Sequence, residues 1–342
     1  MTKKIVLGLG ALIVVLVVLF FVYPSPTTPQ EPYVIGVLHY LPIFEPSEQG
    51  LKARLADLGY EEGEDVVYDV RHAYADFDAL DQHARELIEK NVDLIYATAL
   101  EGALSAQKEV KARNRSDIPI VFVNANNPDE LGLIDSFQSP GGNITGVATD
   151  FANVTAKKLE FFKQINPTIK KIGVFNAKVT DPAGKYMLAN LRELVGEFGM
   201  QLVEYPLQQN PGPAAVEEIQ SVMATIKSGD IDAYYQLPGP ILSIPDNIGY
   251  FIALPTRLKI PSVFLSESMV KGGGLMSYQH DFYGVGEQAG DYIDKIFKGV
   301  KPADIPVEFQ KKTVLILNKK VADGLGITFP QSMVSIADRV IQ

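Results

Sequence analysis

The chain has 342 residues, 46% of them hydrophobic, enough to bury a large core and long enough to suggest two domains. Its formal net charge is −10 with a pI near 5.0, and no Lys/Arg cluster interleaves with aromatics, which argues against a nucleic-acid surface. There is no cysteine, which removes disulfides, thiolate metal sites, cysteine nucleophiles and a lipid anchor on an N-terminal cysteine.

The N-terminus reads as a membrane segment. Lys3 and Lys4 precede Ile5 to Tyr23, nineteen residues without a charge, about the length that crosses a bilayer as a helix. A cleavable signal has a shorter apolar core and a small-residue cleavage site, whereas this run ends in Phe20-Phe-Val-Tyr-Pro24. The pattern favours an uncleaved anchor over residues 1–24, with a signal segment as the alternative. The lysines keep the short end cytoplasmic and place the remainder outside the membrane. Residues 25–32 are a stiff Pro-rich linker.

Beyond the linker, short apolar runs alternate with amphipathic segments. Strands are expected at Tyr33–Leu38, Val66–Val70, Val92–Ala97 and Ile118–Val123, with helices over Pro46–Leu58, about Ala79–Lys90 and from Thr98 onward. Gly59 is a standard C-cap of the first helix. The stretch Ser139-Pro-Gly-Gly-Asn-Ile-Thr-Gly146 then carries glycines at 141, 142 and 146. It is either a turn between strands or a Gly-rich crossing between two lobes; its place midway between matching halves favours the crossing. The same grammar restarts with a helix over Thr155–Ile165 and a strand over Lys171–Phe175. A helix ending at Gly199, a strand at Gln201–Pro206, a helix at Ala214–Lys227, and strands at Ile231–Gln236 and Pro261–Leu265 follow. Leu275–Tyr278 reads as a second crossing, Phe282–Lys298 as a long helix, Lys301–Lys312 as a third crossing and Thr313–Leu317 as a final strand. This is an α/β chain of two doubly wound parallel-sheet lobes. Residues 33–146 plus 277–305 form lobe 1, and 147–276 plus 306–342 form lobe 2.

Few motifs carry chemistry. Ser268-Met-Val-Lys271 matches a Ser-x-x-Lys pattern without its companions, and the histidines at 39, 72, 83 and 280 share no metal-ligand spacing. His280 sits near the cleft in a hydrogen-bonding or surface role. Asp76, Asp78 and Asp81 lack the rest of a calcium loop and read as helix capping and dipole pairing. Gly284-Val-Gly286 falls inside a helix rather than between strand and helix, so it is no dinucleotide fingerprint. No activated nucleophile with its base is present, so no enzyme, metal or cofactor is expected. What remains is a set of loops at the carboxyl ends of strands, where open α/β sheets bind ligands. The candidate site residues are Tyr40, Phe44, Thr98, Asn124, Asn126, Asn127, Asp150, Asn176, Gln236, Ser266 and Glu267. Singly each reads as loop or capping chemistry; together they describe a polar cleft with stacking surfaces. Glu267 could accept a hydrogen bond from a ligand amine or cap the helix beginning near Ser268. With no arginine in these loops, a ligand carboxylate would use a helix N-terminus or Lys178, Lys185 or Lys271.

The motifs Pro140-Gly-Gly-Asn-Ile-Thr-Gly-Val147, Lys171-Ile-Gly-Val-Phe-Asn176, Gly272-Gly-Gly-Leu-Met-Ser-Tyr278 and Lys301-Pro-Ala-Asp-Ile-Pro-Val307 occur in order, ahead of Gly324-Leu-Gly-Ile-Thr-Phe-Pro330. Through them the chain resembles ABC-transporter substrate-binding proteins of the tryptophan/tyrosine type, over roughly residues 33 to 338. The resemblance implies the type I periplasmic binding protein fold, two lobes joined by a three-crossing hinge, and closure on a small solute. Two departures fall at the cleft: Ser266-Glu267 stands where the family often has Ser-Asp, and Leu237-Pro-Gly-Pro-Ile-Leu-Ser-Ile-Pro245 replaces a Thr-Asp-Asn motif. The resemblance implies an extracytoplasmic solute-binding protein that passes a small organic ligand to an ABC permease. The N-terminal run adds a membrane tether, a departure from the family; a monomer is expected, and Tyr40 and Phe44 point to an aromatic, heterocyclic or amino-acid ligand. The alternative is a tethered ligand sensor whose output comes from a partner protein.

Overall fold

The computed structural model describes residues 31–178, 182–239, 241–242 and 245–342. The segment expected to anchor the chain, Ile5 to Tyr23, lies outside these. Among the described residues no helix is long and apolar enough to cross a membrane.

The first lobe is built on six parallel strands in the order β11-β5-β4-β3-β1-β2. These are β1 (Tyr33–His39), β2 (Val66–His72), β3 (Leu94–Thr98), β4 (Ile120–Asn126), β5 (Ile144–Thr149) and the two-residue β11 (Glu308–Phe309). Helices α2 (Phe77–Glu89) and α3 (Ala99–Ala112) cover one face, around Leu80, Leu87, Ile95 and Phe122. Helices α1 (Glu45–Asp57) and α9 (Phe282–Phe297) cover the other, around Leu51, Tyr96, Val121 and Ile293. Strands covered on both faces must be apolar throughout, which is why β3 and β4 are buried at every position. Asp76 caps α2 by accepting from Ala79 N at 3.0 Å, the local role its sequence position suggests.

The second lobe holds seven strands in the order β13-β12-β10-β9-β8-β6-β7. They are β6 (Lys171–Ala177), β7 (Gln201–Leu207), β8 (Ala233–Tyr235), β9 (Ser262–Phe264), β10 (Met276–His280), β12 (Thr313–Asn318) and β13 (Arg339–Ile341). Its helices are α4 (Phe151–Ile165), α5 (Pro182–Glu197), α6 (Pro213–Thr225), α7 (Pro245–Leu258), α8 (Glu267–Lys271), α10 (Lys319–Leu325) and α11 (Gln331–Ile336). One continuous core centred on Phe161, Phe175, Tyr234, Tyr235 and Phe251 joins them.

The sheet is not wholly parallel, against the expectation: β12 runs antiparallel to β10. The crossings explain it. The first two pass from a strand directly into a helix, Thr149–Asp150–Phe151 and His280–Asp281–Phe282. In each the aspartate caps the new helix, Asp150 accepting from Asn153 N at 3.0 Å and Asp281 from Gly284 N at 3.2 Å. The helix carries the chain away from the cleft and the next strand returns parallel. The third crossing, residues 310–312, enters β12 with no helix between, so that strand must leave the cleft end and run the opposite way.

The crossings also lie elsewhere than their glycines suggest. Gly141 and Gly142, at φ +81° and +61°, form a tight turn ahead of β5. Gly146 is inside β5, where a Cβ would meet the Phe122 carbonyl oxygen at 2.1 Å. The segment Met276–Tyr278, expected in the second crossing, belongs to β10.

Candidate functional site

Because the strands of both sheets, β12 and β13 aside, run toward the hinge, their carboxyl ends face one another across an interlobe cleft. Leu41, Pro42 and Ile43 of the first lobe and Ile248, Ser266 and Met269 of the second line a void of about 150 Å³. A larger space of about 680 Å³ adjoins it, running between Pro42–Gln49 and a charged wall of Glu267, Lys271, Asp338 and Arg339. Elsewhere the lobes touch where α3 meets α5, and the Tyr186 hydroxyl on α5 interacts with the Asn127 side chain of the first lobe.

On the first lobe, Thr98 Oγ1 accepts from Tyr40 N at 3.1 Å, so these two residues tie the ends of β1 and β3 together. The Tyr40 ring is buried 5.7 Å from Phe77, and Phe44 packs edge-on against Phe282 at 5.3 Å beside the second crossing. Asn127 donates to Glu130 Oε2 at 2.7 Å. Asp150 is occupied as a cap, its second oxygen accepting from the Asn153 amide. Asn124 and Asn126 differ from the rest. Both are buried, and neither amide oxygen nor amide nitrogen has a partner. Asn124 sits at φ +58° in the bulge that shifts the β4–β5 register between Val123 and Ala125, which turns the end of β4 inward. Asn126 pairs in register with Thr149, whose hydroxyl is likewise unpartnered.

On the second lobe several candidates are already spent. Asn176 donates to Glu204 Oε2 at 3.0 Å, and Glu204 holds Arg192. The Arg192 guanidinium, outweighing partial burial, keeps the Glu204 carboxyl below its ordinary range. Gln236 is buried; its amide donates to Leu237 O and Leu242 O at 3.2 and 3.0 Å, and it accepts from the Tyr234 hydroxyl. Ser266, not Glu267, caps α8, accepting from Met269 N at 3.3 Å. Glu267 pairs with Lys271 at 2.7 Å and with Arg339. Burial alone would raise its pKa, but the two cations hold the carboxyl below its ordinary range. Arg339 thus joins the cleft wall from β13, far along the chain from the strand-end loops that hold the other candidates.

Two buried basic groups were not anticipated. His280 at the end of β10 is 2% exposed with both ring nitrogens unpartnered, contrary to the hydrogen-bonding or surface role expected. Burial, with Lys158 nearby, depresses its pKa to about 3, so the ring is neutral. Lys158 on α4 is also 2% exposed, and burial pulls its pKa down to about 7. The signal lay in the spacing: position 158 falls three residues after Thr155 and three before Phe161, on the apolar stripe of α4. Replacing this lysine by an isosteric apolar residue removes a desolvated amine. We expect Lys158→Met to raise the Tm of the ligand-free protein at pH 7, at roughly 2–4 °C per kcal/mol recovered. Melting curves of the two proteins check it, and a lower Tm for the variant would contradict it.

A two-lobe α/β fold with three crossings and a polar cleft is that of the periplasmic binding proteins. The family model for ABC transporter substrate binding proteins matches residues 41–341, and the chain belongs to that family. A curated relative, the tyrosine-binding protein of Clostridioides difficile (strain R20291), is 27% identical over 286 residues, covering 84% of this chain and 78% of the relative. Among solved structures, an ABC domain in complex with L-Trp from Streptococcus pneumoniae superposes with a TM-score of 0.77 at 25% identity, covering 91% of this chain and 100% of that one. The ligand-free, open structure of a substrate-binding protein with adhesive properties from Clostridium difficile has a TM-score of 0.69 at 24% identity, over 92% of this chain and 100% of that one.

Proposed function

We propose that this protein is the extracytoplasmic binding component of an ABC importer and that it takes an aromatic amino acid in the cleft between its lobes. The observation that carries the reading is the pair Asn124 and Asn126: four amide atoms buried at the cleft end of β4 with no partner among the described residues. A buried polar group left unsatisfied costs about 1–3 kcal/mol, so such a pair is best accounted for by a ligand that completes it. The relatives that carry tyrosine and tryptophan supply the ligand class, and Phe44 with Phe282 offers an aromatic wall beside the cleft. The segment over residues 1–24 would tether the protein to the membrane, where a permease would receive the ligand.

The test is a titration with tyrosine, tryptophan and phenylalanine, followed by melting and solution scattering. At a hundred times Kd a ligand stabilises by about 2.7 kcal/mol, so Tm should rise by several degrees. The radius of gyration should fall with little change in secondary structure, because the lobes turn about the crossings as bodies. No shift with any of the three, or a shift without compaction, would count against this reading.

A further inference from the structure

Lys158 stands apart from every other lysine that the structure pairs. Its neighbour Lys157 points outward and binds Glu160 at 2.9 Å, as a surface lysine does. Lys158 points inward, and among the described residues no carboxylate lies within ion-pair distance of it. What it meets is aromatic and basic. Its ammonium nitrogen stands 5.2 Å from the centre of the Tyr235 ring, and the neutral His280 imidazole is close enough to feel its charge. The Tyr235 hydroxyl is taken by Thr155 Oγ1 at 3.3 Å, one turn of α4 nearer the cleft.

Placement gives this cluster a direction. Tyr235 and His280 are the last residues of β8 and β10, so both lie at the cleft edge of the sheet. Side chains on a helix tilt toward its N-terminus, which for α4 is the first crossing at Asp150. Lys158 lies about 10 Å along the helix from that end, at 1.5 Å per residue, and its ammonium reaches the ring of Tyr235, the last residue of β8. Phe151, the first residue of α4, closes the side of the cluster with its ring 5.4 Å from His280. The result is a buried cluster behind the cleft edge of the second sheet, and His280 is the member that reaches the lining of the space of about 680 Å³.

Burying an amine without a counter-anion is unfavourable, and a fold with no use for one would carry methionine or leucine at such a position. We propose that Lys158 seats an anionic group of the ligand, a carboxylate that enters the cleft and ends between the Lys158 ammonium and the His280 ring. The ion pair then gives the buried ammonium the counter-anion that it lacks among the described residues. The inference rests on the cleft being the ligand site, and it adds which residue holds the ligand's carboxylate. His280 serves as a second donor to the same group through one ring nitrogen.

The experiment compares matched acids and carboxamides: L-tyrosine with L-tyrosinamide, L-tryptophan with L-tryptophanamide, and 3-phenylpropionate with 3-phenylpropanamide. Each is titrated calorimetrically into the wild type, Lys158→Met and Lys158→Gln. The wild type is expected to prefer the acid of the bound pair by at least tenfold. In both variants that preference should fall to near unity, through loss of acid affinity, while the amide binds as before. A purely structural lysine would move both members of a pair together. Binding of 3-phenylpropionate but not of the amino acids would overturn the amino-acid reading and still support this one. A wild type that takes the amides as tightly as the acids, or variants that keep the full preference, would overturn it.

Discussion

Gly286→Val is expected to destabilise the protein by about 3–5 kcal/mol, in the range reserved for clashes with backbone. Helices α1 and α9 pack closely on the outer face of the first lobe. A Cβ at Gly286 would stand 1.8 Å from the Ser47 carbonyl oxygen, and one at Gly50 would stand 2.0 Å from the Tyr283 carbonyl oxygen. Each helix supplies a glycine where the other's backbone approaches, so neither can yield without separating the pair. Gly284 is different, because its Cβ would meet only the Asp281 side chain at 3.0 Å. Gly196, with nothing within 4 Å of its Cβ position, gives a control: Gly196→Ala should be neutral or stabilising by up to about 1 kcal/mol. Urea unfolding of the variants ranks them. A loss under 1 kcal/mol at position 286 would mean the helices are not packed as described. The Gly-Val-Gly at 284–286, read from the sequence as no nucleotide motif, is thus part of a packing seam.

The second large effect is on binding. Asn126→Leu is expected to weaken ligand binding roughly ten- to a hundredfold, from the loss of about 1.5–3 kcal/mol of ligand hydrogen bonding. The empty protein should meanwhile gain stability, because the substitution removes two buried, unpartnered polar atoms. Opposite signs for stability and affinity mark a residue kept for a ligand. Asn124 is a poorer place for the same test, since its φ of +58° suits asparagine or glycine, and leucine there would add backbone strain. Asn124→Gly keeps the backbone and removes only the amide. Calorimetric titration with tyrosine or tryptophan alongside melting of the apo forms reads both quantities. A raised Tm with unchanged affinity for Asn126→Leu would sink the ligand role.

Local rules carried the reading of the elements a long way. Apolar runs such as Tyr33–His39 and Lys171–Ala177 are strands because they are buried on both faces, and Asp76 caps a helix through a bond to a residue three positions on. Helix α7 escaped notice because it starts at Pro245 and holds Pro255 within it, both of which read as breaks. Strand β13 escaped because three residues at a sheet edge show no period. The glycines at 141 and 142 misled because a turn and a crossing need the same backbone freedom; only the partner strands decide between them.

The sequence by itself determined the class of fold and the alternation of strand and helix in two halves. Both depend on contacts within a few residues or on composition. It also placed Asn126 and Gln236 in equivalent positions after strands. Tertiary structure alone separated them, closing Gln236 with the carbonyls of Leu237 and Leu242 and leaving Asn126 open. The same holds for Lys157 and Lys158, adjacent and chemically identical, of which one reaches Glu160 and the other is buried beside Tyr235. The direction of β12 and the pairing of Glu267 with Arg339 belong to this second kind too. Whether a polar group is satisfied depends on atoms distant in the chain, and a sequence shows a group's chemistry without showing what will stand opposite it.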